Sequence, residues 1–427
     1  MNEIVIIAGG KGTRSLNANT PKSLQLIGGK PLIELQLENI NSWIDANIYV
    51  IGGYLGNQIQ EHLSKIESNY LNLNLFYHHD EKQNGTLPAL LQIVDKIPSD
   101  NFAVLLGDLA INFNWKKFFD KLDEPTVDAL VVTHPNGHPQ DSDLVIESSR
   151  NQNLLFLPKH RARKPTDGNL AIAGVFGLKK KIFAKTNYNG NDISRDLLGV
   201  ALEQWVVHNY LTVDYIKDTG TPERIEAINK DLVTGYYSNR DPKNRRVVFI
   251  DFDGTLHKNL EVKNNETAFQ FHRKILESIK KINRLGIPLV VISNQPGIAK
   301  GFFSFEDLDI FFRKVQSDLI DRGCYVDAWL FCPHHPESGW AEEVKELKIN
   351  CECRKPKIGL LKKFLESNDF DLKKSWMLGD SDADLNFATR ATLNFHFCKV
   401  DVDEFSNDIN ATSEVLESIV ASQELDC

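Results

Sequence analysis

Apolar runs with abrupt polar stops divide this chain into short strand-like pieces separated by longer mixed stretches. Glu3-Ile4-Val5-Ile6-Ile7-Ala8 is the first, Phe102 to Leu106 a later one, and Val247-Val248-Phe249-Ile250 and Ile287 to Ile292 follow. Continuous runs of this kind, rich in β-branched residues, predict strands covered on both faces, as in a parallel sheet. The stretches between them are amphipathic and of helical length, so the pattern predicts an α/β fold throughout. Several runs end on residues that carry chemistry. Leu106 leads into Gly107-Asp108, and the segment from Val213 to Lys217 leads into Asp218-Thr219-Gly220. Ile250 leads into Asp251-Phe252-Asp253-Gly254-Thr255, Ile292 into Ser293-Asn294-Gln295, and Trp376-Met377-Leu378 into Gly379-Asp380. Open α/β sheets place their sites at such carboxyl ends.

With 427 residues the chain is too long for one ordinary core. The best linker is Ser238 to Arg246, polar and interrupted by Pro242. We divide the chain there into residues 1–240 and 241–427, each expected to form a doubly wound, Rossmann-like α/β domain. A formal net charge of -9 argues against nucleic acid as a partner. No apolar stretch is long enough to span a bilayer and no signal sequence follows Met1, so no membrane partner and a cytoplasmic location are expected. The six cysteines (324, 332, 351, 353, 398 and 427) all fall in the C-terminal half. That distribution suggests a local use such as metal binding, not a disulfide framework.

The first strand runs straight into Gly9-Gly10-Lys11-Gly12-Thr13-Arg14. Glycines in such a loop let backbone N–H groups approach phosphate oxygens without a Cβ in the way. The spacing is not that of a dinucleotide fingerprint, and Lys11 lies inside the loop, so it is not a P-loop. A tight turn with no ligand is the bland alternative. Lys22 in Thr20-Pro21-Lys22 is placed to act as a phosphate-binding cation, and Asn84-Gly85-Thr86 is a second Gly-Thr turn opening a helix. Asp108 and Asp218 are strand-end carboxylates suited to Mg²⁺ and a nucleoside triphosphate.

In this order the motifs resemble those of the sugar-1-phosphate nucleotidyltransferases: Gly-Gly-x-Gly-Thr-Arg, Pro-Lys, a Gly-Thr turn, a Gly-Asp strand end and a late Asp-x-Gly-Thr-Pro. The resemblance implies a GT-A-like domain in which Gly10, Gly12, Thr13 and Arg14 cradle the triphosphate, with Ala8 and Gly9 beside them. It further implies that Lys22 neutralises the phosphates, that Gly85 lies near the base, and that Asp108 with Asp218 holds Mg²⁺. Arg14 and Lys22 would be the catalytic cations. The sugar 1-phosphate would attack the α-phosphate in line and expel pyrophosphate, with catalysis by positioning and charge neutralisation. Ser15 departs from the usual apolar residue, and Ala173-Gly174-Val175-Phe176 matches the sugar-side strand of that family.

In the C-terminal half, strand alternation turns Asp251 and Asp253 to the same side. Two like charges so close call for a cation between them, or for one carboxyl to stay protonated. An Asp-rich turn is the bland alternative. Ser293 and Asn294 suit a phosphate oxygen, Arg354 and Lys355 form a cationic pair, and Asp380 ends the last run. Strand-end Asp, Ser, Lys and late Asp occur here in the order of the haloacid-dehalogenase-like phosphatases. The resemblance implies that Asp251 is the nucleophile and Asp253 the general acid and base. It places Mg²⁺ with Asp251, Asp253 (through its carbonyl) and Asp380, and the transferring phosphate with Ser293, Asn294, Arg354 and Lys355. The interval from Asp251 to Ser293 is too short for a large inserted cap, so an uncapped site is expected.

Cys332-Pro333-His334-His335, then Cys351-Glu352-Cys353, bracket a loop with soft S and N donors suited to tetrahedral zinc. Cys332, His334, Cys351 and Cys353 would make a closed, structural site, with His335 as the alternative to His334. This pattern narrows the resemblance to the histidinol-phosphate and D-glycero-D-manno-heptose 1,7-bisphosphate phosphatase group. The run from Ser293 to Gly301 matches that group, while Phe252 and Pro296 depart from the heptose enzymes. A phosphatase joined to a sugar-1-phosphate nucleotidyltransferase implies consecutive steps on one sugar, and heptose activation with GTP is such a pair. The expected small-molecule partners are therefore a phosphorylated sugar and GTP, with Mg²⁺ at both sites and structural Zn²⁺. One alternative is a hexose-1-phosphate nucleotidyltransferase fused to a phosphatase of other specificity. Another is a silent regulatory phosphatase-like module, against which all the catalytic positions being present argues.

Overall fold

The computed structural model describes residues 1–10, 19–184, 188, 190–257, 271 and 273–398. The first apolar run becomes the strand Asn2–Ile7, with parallel neighbours Ala46–Gly52 and Asn101–Leu106 on either side. Leu73–His79 extends the parallel side. The remainder of this nine-stranded sheet adds antiparallel pairings to the parallel α/β core. Leu170–Lys179 runs antiparallel to Asn101–Leu106 and pairs also with Ala129–Pro135, which makes the sheet mixed. A register shift between Ile172 and Phe176, with Gly174 at φ +77°, bends that long strand. The bend lets one strand serve several partners. Leu37 and Ile40 of the helix Leu32–Asn41, together with Ile59 and Leu63 of Gly56–Ile66, close one face of the sheet over a fully apolar core.

The second sheet is wholly parallel. Its order is Ala328–Cys332, Leu289–Asn294, Val248–Ile250, Trp376–Gly379 and Asn394–Phe397. Val248–Ile250 is its central strand and is entirely buried. The chain passes from this strand to Leu289–Asn294 and Ala328–Cys332 on one side and then crosses to Trp376–Gly379 on the other, so Asp251 stands at the topological switch point where α/β sheets open a crevice.

The segment between the sheets is polar in sequence, yet it buries two of its arginines. Arg240 and Arg245 are only 4% and 2% exposed. The Arg240 guanidinium donates to Asp327 at 2.7 Å and to the Val213 carbonyl at 3.1 Å. Arg245 pairs with the fully buried Asp214, donates to the Asp369 carbonyl at 2.8 Å and lies over the Phe370 ring. Long charged side chains read as solvated in a sequence, and their buried acceptors are recruited from distant segments. Among the described residues, no helix is long and apolar enough to cross a membrane.

Candidate active sites and metal centre

Asp251 follows the central strand directly and is 7% exposed. Its carboxylate accepts from Lys355 Nζ at 2.6 Å, and the same ammonium donates to Asp384 at 2.5 Å. Oxygens of Asp251, Asp380 and Asp384 all lie within 4.8 Å of one another. Burial pushes the Asp251 carboxyl up to about 7, with Lys355 pulling it down and Asp384 pushing it further up. Burial also opposes the charge on Lys355, but Asp251 and Asp384 outweigh it and hold the ammonium above its ordinary range. Lys355 alone does not balance the acidic groups gathered here, so the donor set fits a divalent cation, whose hard oxygen ligands these would be.

The Asp253 carboxylate has a partner of its own. Gln295 Nε2 donates to its carboxylate at 2.7 Å and to Ser293 Oγ at 3.1 Å. Burial raises the Asp253 pKa, as a group that must carry a proton requires. Gly254 sits at φ +83°, and a Cβ there would meet Asp380 Oδ2 at 2.3 Å, so only glycine lets the loop pass beside that carboxylate. Asn294 fixes Lys355 at two points, accepting from its N–H at 2.9 Å and donating to its carbonyl at 3.1 Å.

The four expected soft ligands come together beside this loop. Cys332, His334 Nδ1, Cys351 and Cys353 are separated by 3.1 to 3.6 Å in the contacts between them. A tetrahedron with Zn–S bonds of about 2.3 Å has edges of about 3.7 Å, so the cluster has the size and chemistry for zinc. Hydrogen bonds, the Cys332 thiol first, push Cys353 down to about 5, while Cys332 itself is pushed up. His335 turns elsewhere, against Trp340 and the backbone of Glu337, which leaves His334 as the candidate ligand. Cys332 ends the strand beside Asn294, and Cys353 precedes Arg354, which donates to the His334 carbonyl at 3.2 Å. The cluster therefore holds the segment that carries Lys355.

In the N-terminal half, Gly12, Thr13 and Arg14 lie outside the described residues. Ala8 is hydrogen-bonded to the Ile51 carbonyl, Gly9 packs on the Gly53 backbone, and among the described residues nothing crowds Gly10. Gly85 caps the helix Thr86–Leu91 at φ +120°, and a Cβ there would lie 2.1 Å from the Asn191 carbonyl. Asp196 accepts from the N–H groups of Asn191 and Asp192, holding that neighbouring loop. Lys22 Nζ lies 3.2 Å from Asp108, and both are partly exposed. Asp218 pairs with Leu109 across two strands, and the Thr219 N–H donates to the Asp108 carbonyl at 2.8 Å. The backbones of Asp108 and Asp218 are thus fastened together, while their carboxylates engage different cations, Lys22 and Arg224.

Three of the residues that shape these sites were given no role from the sequence: Gln295, Asp384 and Arg224. The carboxylate-rich run from Asp380 to Asp384 was a usable signal for the second. Arg224, which bridges Asp218 and Asp141, carried none.

Comparison with known proteins accounts for both halves. Residues 3–235 match the family model described as nucleotidyl transferase, and residues 246–410 that described as polynucleotide kinase 3 phosphatase. A D-glycero-alpha-D-manno-heptose-1,7-bisphosphate 7-phosphatase of Photorhabdus laumondii is 31% identical over 146 residues, which are 34% of this chain and 78% of that protein. The D-glycero-beta-D-manno-heptose-1,7-bisphosphate 7-phosphatase of Yersinia pestis is 33% identical over 146 residues, 34% of this chain and 76% of its own. Among solved structures, HddC from Yersinia pseudotuberculosis aligns with 54% of this chain and 100% of its own at 22% identity, with a TM-score of 0.47. The chain belongs to the nucleotidyl transferase family through its N-terminal half and to the family of these bacterial 7-phosphatases through its C-terminal half, and is a bifunctional transferase and phosphatase.

Proposed function

We propose that the chain removes the 7-phosphate from D-glycero-D-manno-heptose 1,7-bisphosphate and transfers GMP from GTP to the resulting heptose 1-phosphate, releasing pyrophosphate. The observation that carries the phosphatase step is the buried Asp251–Lys355–Asp384 cluster with a protonatable Asp253 held beside Ser293. In this proposal residues 1–240 form the transferase domain and 241–427 the phosphatase domain.

An Asp251 oxygen attacks phosphorus, and the bond from phosphorus to the sugar oxygen breaks. The proton of Asp253 goes to that leaving oxygen. Asp253, now ionised, takes a proton from water, the hydroxide displaces Asp251 from phosphorus, and inorganic phosphate leaves. Ser293, Asn294, Arg354 and Lys355 hold the phosphate oxygens. Asp251, Asp380 and Asp384, with the Asp253 carbonyl, would hold Mg²⁺, which would supply charge neutralisation for the nucleophile and the phosphate. Zinc at Cys332, His334, Cys351 and Cys353 would be structural, because its four protein ligands close the site.

In the transferase half, Lys22, Arg14 and the glycine loop at Ala8, Gly9, Gly10, Gly12 and Thr13 are assigned to the triphosphate, and Gly85 to the base. Asp108 and Asp218 would hold a second Mg²⁺ once substrates draw Lys22 and Arg224 away. The choice of GTP comes from the pairing of the halves. The names of the phosphatase relatives cover both anomers, and the α-anomer is assigned here from the heptose pathway that the pairing resembles.

The test supplies the α- or β-bisphosphate, Mg²⁺ and each nucleoside triphosphate in turn, and follows inorganic phosphate and nucleotide-sugar together. Phosphate with GDP-heptose from the α-anomer alone is the expected result. Phosphate without nucleotide-heptose would refute the sugar assignment of the transferase half.

A further inference from the structure

A cavity of about 760 Å³ lies between the two halves. One wall comes from the transferase half, where His134, Ala173, Asp218 and Arg224 line it. Asp218 is the carboxylate assigned above to Mg²⁺, and Ala173 opens the strand segment that resembles the sugar side of the family. The opposite wall comes from the phosphatase half: Lys280, Asn283 and Arg284 from the end of the helix Arg273–Arg284, and Tyr325. This second wall is fixed in place. The Asn283 side chain accepts from the Tyr325 N–H at 2.9 Å and donates to its carbonyl at 3.1 Å. The Tyr325 hydroxyl meets that of Tyr236 at 3.2 Å.

We propose that this cavity is the acceptor end of the transferase site and that the phosphatase half supplies its far wall, with Lys280 and Arg284 as specificity-determining cations for a phosphorylated sugar. The proposal rests on the transferase function above and adds the residues that complete its site. The volume lies within the range of small-molecule pockets, about 300–1,000 Å³. Polar groups line both walls, as a polyol requires. His134 Nδ1 lies 3.1 Å from the Pro135 carbonyl, which sets its proton there and leaves Nε2 to accept from a sugar hydroxyl. Arg224 bridges Asp218 and Asp141 at the transferase end, where the phosphate of the acceptor would sit. Across the cavity, Lys280 and Arg284 donate to hydroxyl oxygens and draw in the phosphomonoester dianion. Among the described residues, no ion pair engages Arg284, whereas Lys280 pairs only with Glu277 on its own helix.

The test uses the full chain with Lys280→Ala and Arg284→Ala combined, on a helix end where substitution leaves the core intact. The expected result is a rise of about tenfold in KM for sugar 1-phosphate, with KM for GTP and phosphatase kcat/KM unchanged. Arg284→Lys in the otherwise native chain should restore most of the loss seen with Arg284→Ala. A KM for sugar 1-phosphate within about twofold of wild type, in a chain that still makes nucleotide-sugar, overturns the proposal and leaves the transferase function standing. If the wild type makes no nucleotide-sugar, the transferase function itself fails. Equilibrium titration with mannose 1-phosphate then decides on the cavity: binding lost in the double variant supports the site, and equal or absent binding overturns it.

Discussion

The two sites solve the same electrostatic problem in opposite ways. In the phosphatase half, Asp251, Lys355 and Asp384 are almost fully buried and already engaged with one another. In the transferase half, Lys22 and Asp108 are partly exposed, and Asp108 and Asp218 each take a separate cation. The difference follows from the chemistry. A nucleophile that belongs to the protein gains from desolvation and a fixed counter-charge, because it must be aimed before substrate arrives. Where both reacting groups belong to substrates, the protein must leave room for two ligands, and its own ions can change partners as they bind. On the proposed function, the phosphatase site is therefore prebuilt and the transferase site is completed by its substrates.

The strongest test of that contrast is Asp251→Asn. Phosphate release should fall by about a thousandfold or more, while pyrophosphate release continues near the wild-type rate. Parallel loss of both would mean that the sites are not independent. The seam between the halves should give the next largest effect. Arg245→Ala leaves Asp214 buried without its partner, and such losses typically cost about 3–5 kcal/mol. Burial raises the Asp214 pKa despite the adjacent guanidinium, which shows desolvation outweighing the pair's attraction. Replacing both partners, Arg245→Met with Asp214→Leu, should therefore recover most of the stability in denaturant titration. A double variant no better than Arg245→Ala would show the pair itself to be stabilising.

Removal of zinc sharpens the comparison from the other side. Metal analysis should find about one zinc per chain, and Cys353→Ser should lower phosphatase kcat/KM by about 10–100-fold while sparing nucleotidyl transfer. Equal loss in both activities would place the metal's influence in the fold as a whole. The smallest effect concerns pH. Burial holds His134 down to about 4, with Arg240 and Lys217 adding to it, and burial alone holds His257 down to about 4. In the unfolded chain each takes a proton near about 6.5. Their contribution to stability is thus complete above about pH 6.5 and is lost as pH falls towards 4. The Tm should be about 2–4 °C lower near pH 5 than near pH 7.5, and His257→Phe should flatten that slope.

Part of the proposed phosphatase site was legible in the sequence because Asp251, Ser293 and Asp380 each lie at the end of an apolar run, whereas Lys355 and Asp384 do not. Strand alternation and the switch-point rule carry Asp251, Ser293 and Asp380 to one crevice without reference to distant contacts. Cysteine spacing likewise pointed to the Cys/His cluster, though the choice of His334 over His335 needed the ring contact of His335 with Trp340. The mixed first sheet was not legible, since the bend at Gly174 changes the partners of a strand without changing its apolar pattern.

Short-range chemistry was thus determined by the chain itself: strand-end carboxylates, glycine turns and paired soft ligands each depend on neighbours within a few residues. The tertiary structure decided what depends on meeting a remote group. It turned Arg240 and Arg245 from an apparent linker into a buried seam, set Gln295 on Asp253, and brought Lys280 and Arg284 opposite Asp218 across a cavity. The physical reason is that the burial of a charge is a property of the partner it finds, and that partner is chosen by the packing of two sheets.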